Sequence, residues 1–80
     1  MTRDEKARKD AARLGIKLKF DRKGVSKCGR YKLVKEWNLE DEPIWVAIAV
    51  VDNFKIASSW TRKSAVAACL EDAVNEHLNG

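Results

Sequence analysis

Residues 44–51 constrain this chain more than any other segment. Eight consecutive apolar side chains, IWVAIAVV, stand between Pro43 and the pair Asp52-Asn53. The run is far shorter than the roughly 20 apolar residues a membrane helix needs. Its β-branched content, with a turn signal at each end, reads as a strand. Successive side chains of a strand point to opposite faces. Trp45, Ala47, Ala49 and Val51 therefore form one set, and Ile44, Val46, Ile48 and Val50 the other. Both sets are apolar. Helices packed on one side of a sheet cover only one of them, so whichever set is left is expected to need a cover of its own. That cover is the N-terminal segment, a second copy in a homodimer, or a different protein.

The flanking sequence supplies the rest of the sheet and its helices. Asp52-Asn53 is a two-residue hairpin signal, and residues 54–60 are expected to return as a partner strand. Tyr31, Leu33, Val34 and Trp37 mark an earlier strand, closed by the polar stretch 38–42. Ile16, Leu18 and Phe20 alternate with Lys17 and Lys19, which makes a possible extra short strand. Thr2 with Glu5 three positions later is a capping-box pattern, and Gly15 is a stop, so a helix is predicted over 3–14 with a thin apolar stripe of Ala7, Ala11 and Leu14. Thr61 reads as the N-cap of a second helix running to about His77. Its apolar face comprises Ala65, Ala68, Cys69, Ala73 and Leu78, with Leu70 and Val74. The expected fold is α+β, in the order α-β-β-β-α, with a three-stranded antiparallel sheet and helices on one face.

Eighty residues make one domain, divided here into a basic N-terminal helix and arm (1–30) and a β-β-β-α body (31–80). Residues 1–30 hold eleven Lys and Arg against four acids, net +7, while residues 31–80 hold five against eight, net −3. A basic arm of this kind attracts polyanions, although a merely solubilising surface reads the same way. Cys28 and Cys69 have no second cysteine or histidine nearby, and both are read as free thiols of a reducing cytoplasm. The charged N-terminus lacks the apolar segment of a secretory signal, and no membrane partner is expected. No phosphate loop, nucleophile motif or metal-spaced cluster is present, so neither an enzyme nor a cofactor is expected. His77 reads as a helix-end residue. Trp37 and Trp60 could stack bases, although tryptophans at strand ends more often belong to a core.

Two strings carry a family resemblance. Tyr31-Lys-Leu33-Val34-Lys-Glu36, followed by Pro43-Ile-Trp45, and Thr61-Arg62-Lys63-Ser64-Ala65 with Ala68, Cys69, Glu71, Ala73 and Val74 behind it, resemble the double-stranded RNA-binding domain family over about residues 31–78. The resemblance implies that Arg62 and Lys63, which match the first two basic positions at the start of the second helix, meet RNA phosphates. The third such position falls at Val66, and the loop 38–43 carries three acids and no histidine. With Lys6, Lys9 and Arg13 of the basic arm, these residues define an expected nucleic-acid interface, with RNA favoured over DNA. The resemblance also implies that Trp45, Ala47, Ala49 and Val51 face the helices, so the alternative is a protein-interaction module, a small inhibitor or adaptor of phage type for instance, working through the open-face set Ile44, Val46, Ile48 and Val50. The acidic loop and Val66 favour the alternative, and the basic arm favours nucleic acid.

Overall fold

Thr2 opens the first helix by accepting the Glu5 amide on its hydroxyl at 3.2 Å. In the computed structural model, which describes residues 2–79, helix α1 (Arg3–Arg13) precedes strands β1 (Tyr31–Trp37), β2 (Pro43–Ala49) and β3 (Phe54–Ser59), and helix α2 (Arg62–Asn79) ends the chain. The strands form one antiparallel sheet in the order β1-β2-β3. The fold is α+β in the order α-β-β-β-α, as the residue pattern predicts. Among the described residues no helix is long and apolar enough to cross a membrane.

Register decides which side chains share a face. Tyr31 pairs with Ala49, Leu33 with Ala47 and Lys35 with Trp45. Tyr31, Leu33 and Ala47 meet Ala65, Cys69 and Ala73 of α2 in the core. Ala47, Ala65 and Cys69 are fully buried, and their small size lets the helix lie close on the sheet. Tyr31 reaches the edge of this core, where its hydroxyl donates to Asp72 Oδ2 at 2.8 Å. A bulge between Ala47 and Ile48 breaks the register with β3 and leaves Ile56 packed against the core. Leu78, expected on the apolar face of α2, is exposed, and Ala67 is buried instead. Helix α1 packs on α2 alone, burying Ala7 and Ala11.

Three local expectations are corrected. The β2–β3 connection is a four-residue loop, 50–53, because Ala49 pairs directly with Phe54; Asn53 takes a positive φ of 56° there. Val50 and Val51 thus belong to the turn rather than the strand. Residues 16–20 form no strand, although Ile16, Leu18 and Phe20 still pack against the core. The chain instead doubles back through a Phe20–Ser26 bridge and lays Val25 beside Lys32 of β1, with the Leu33 amide donating to Gly24 O at 2.7 Å. Gly24 is required at this contact: its φ is +85°, and a Cβ there would stand 2.5 Å from the Leu33 carbonyl oxygen.

The sheet face turned away from α2 also differs from expectation. Val46 is 0% exposed and Ile48 7%, while Ile44 is half-buried and Val50, in the turn, is 42% exposed. Val46 and Ile48 are thus covered within the single chain. Ile48 lies in a row with Val25, Lys32 and Lys55, between two lysines, a residue type whose apolar stem covers neighbouring apolar surface while its ammonium stays in water. Lys55 also pairs with Glu36 at 3.4 Å. Lys55 stands opposite Ile48, and Glu36 opposite Ile44, so the ion pair spans β2 diagonally over Val46.

Candidate nucleic-acid interface

β1 ends, β2 begins and β3 ends at the same edge of the sheet, and α2 starts there. Thr61 caps α2 by accepting the Ser64 amide at 3.1 Å, which places Arg62 and Lys63 in the first helical turn. Both are exposed, and neither is in an ion pair among the described residues. The first turn of α2 carries no acid. Two cations at a helix N-terminus add to the positive end of the backbone dipole instead of neutralising it, while the Asp4 carboxylate lies against Ser64 of the same turn. Val66, where the resemblance sets a third cation, packs against the core.

The expected arm residues do not converge on this corner. Ala7 and Ala11 define the side of α1 that meets α2, and Lys6 and Arg13 lie on one flank of that side, in a groove with Leu14, Val74 and Leu78. Arg13 is paired with Asp10, and Lys9 points into solvent. Arg8 occupies the opposite flank, and its guanidinium donates to the Lys63 carbonyl at 3.0 Å. Nearby, Ser64 Oγ donates to Asp4 Oδ2 at 2.7 Å. Arg8 is therefore the α1 cation beside Arg62 and Lys63. Periodicity sets Arg8 at 100° around the helix from Ala7 and Lys6 at the same angle on the other flank, so the choice between them is made by packing.

Part of the N-terminal charge is consumed inside the molecule. Arg3 makes a two-pronged pair with Glu71 at 2.5 and 2.7 Å, whose hydrogen bonds and charge hold the Glu71 carboxyl below its ordinary value. Arg30 pairs with Glu76. The +7 of residues 1–30 is thus partly matched against the acids of α2.

The two thiols differ sharply. Cys69 is buried, and burial, aided by the Asp72 charge, pushes it up to about 12. Cys28 is exposed, shares a hydrogen bond with Ser26 Oγ at 3.3 Å, and is held below the ordinary thiol value chiefly by that bond and by the Arg30 amide.

The acidic loop between β1 and β2 is closed on itself. Asn38 Oδ1 accepts the amides of Glu40 and Glu42, each at 2.9 Å, and the Asn38 amide donates to Glu42 O at 3.0 Å. Comparison of the chain with family models, with curated proteins and with solved structures found no match.

Proposed function

We propose that this domain binds nucleic acid, with structured or double-stranded RNA as its preferred ligand, through the corner formed by Arg8, Arg62 and Lys63. The observation that carries the reading is the Arg8–Lys63 hydrogen bond, which joins the basic helix to the basic first turn of α2 in one surface. The resemblance of residues 31–78 to double-stranded RNA-binding domains favours RNA, because in that family the corresponding turn meets phosphates across the major groove. The protein-interaction reading has less support, since Val46 and Ile48, half of its expected surface, lie within the chain's own packing.

Anisotropy titration of labelled duplex RNA and duplex DNA, each at two salt concentrations, tests the proposal. Replacing Arg62 and Lys63 together by alanine should weaken binding to all sequences alike. It should also flatten the dependence of log affinity on log salt by roughly 0.9 for each phosphate that is no longer neutralised. A slope unchanged by the double substitution removes these residues from the interface.

A further inference from the structure

All three tryptophans of the chain lie at the end of the sheet where α2 begins. Trp37 closes β1, Trp45 stands opposite Lys35 near the start of β2, and Trp60 follows β3. Trp37 and Trp60 are 64% and 66% exposed. The Lys35 ammonium lies 5.8 Å from the centre of the Trp37 ring and 5.9 Å from that of Trp45, and Lys35 is in no ion pair among the described residues. The first turn of α2, with its own uncommitted cations, follows β3, two strand spacings or about 10 Å from β1. A free cation thus borders the Trp37 and Trp45 rings, and two more follow Trp60 within three positions of sequence.

That combination selects the chemistry of the ligand. An apolar protein surface would bury the indoles at the expense of desolvating Lys35, Arg62 and Lys63. An acidic peptide would satisfy the cations and leave the rings uncovered. Nucleotides bring a π-face and an anionic link in each unit. The loop beyond Trp37, with Glu40, Asp41 and Glu42, repels phosphate, so a nucleic-acid backbone approaches from α2 and stops short of that loop. We infer that this end of the sheet takes unpaired nucleotides adjoining a duplex, their bases stacked on Trp37 and Trp60 and their phosphates toward Lys35, Arg62 and Lys63. The inference rests on the proposed backbone-binding corner and adds a single-stranded element to its ligand.

The test compares a blunt RNA duplex of about 16 base pairs with the same duplex carrying a short unpaired tail, and with the tail sequence alone, following both anisotropy and tryptophan fluorescence. The tailed duplex should bind roughly 5- to 150-fold tighter for each stacked base and quench the fluorescence. Trp37→Ala and Trp60→Ala should each reduce that gain without changing blunt-duplex affinity or the melting curve. Equal affinity for blunt and tailed duplexes overturns the inference and leaves the backbone reading standing. Quenching by the tail alone, abolished in both variants and with no blunt-duplex binding, supports the stacking site and overturns the backbone reading. Absence of binding to all three probes overturns both.

Discussion

Lysine in place of Ile48 distinguishes a packed residue from a docking surface. Ile48 is 7% exposed and is flanked in its row by Lys32 and Lys55. The substitution forfeits the burial of an isoleucine, about 1.5–3 kcal/mol. It also sets a third ammonium between two others, where like charges across neighbouring strands cost up to about 1 kcal/mol. The sum is on the order of 2–4 kcal/mol, against a total stability of roughly 4–12 kcal/mol for a chain of this length. At about 4–8 °C per kcal/mol, the melting temperature should fall by roughly 10–30 °C. Thermal melting followed by circular dichroism measures this, with Ile48→Val, costing about 0.5–1.5 kcal/mol, as the graded control. Sedimentation of the wild type at micromolar concentration runs alongside. If Ile48→Lys melts within about 3 °C of the wild type and dissociates a dimer, Ile48 is a surface residue and the packing described for this face is refuted.

Gly24→Ala should destabilise the domain by more than about 1 kcal/mol, because the position combines a positive φ with a backbone oxygen where the new methyl would sit; a neutral urea midpoint would show that the 20–26 segment is not fixed against β1. A thiol reagent at neutral pH should modify one cysteine in the native protein and two after unfolding, and Cys28→Ser should abolish the native reaction. Since the folded Cys69 thiol is raised above its unfolded value of about 8.5, its contribution to stability is complete below that pH and is lost as pH rises toward about 12. Cys69→Ala should therefore show a shallower alkaline decline in melting temperature, and an identical decline would place the thiol outside the core.

The identity of each principal element was legible in the sequence because the signals that set it are local. Thr2 and Thr61 cap their helices with side chains three residues from the amides they accept, Gly15 ends α1 within two residues of the last helical position, and the apolar run from residue 44 makes β2 whatever surrounds it. Arg62 and Lys63 were legible for the same reason, being fixed in the first turn by the cap before them. What covers Val46 and Ile48 was decided only by the tertiary structure. Lys55 and Glu36, 19 positions apart, pair across β2 over Val46, and Lys32 and Lys55 flank Ile48; both placements depend on the register of the two neighbouring strands. Nor did helical periodicity show which flank of α1 faces the start of α2. The packing of Ala7 and Ala11 chose Arg8 for that corner and turned Lys6 and Arg13 away, and strand pairing brought Trp37, Trp45 and Trp60, spread over 24 positions of sequence, to one end of the sheet. Local hydrogen bonding and periodicity write an element into a few consecutive residues; the neighbours of an exposed side chain are set by pairings between distant ones.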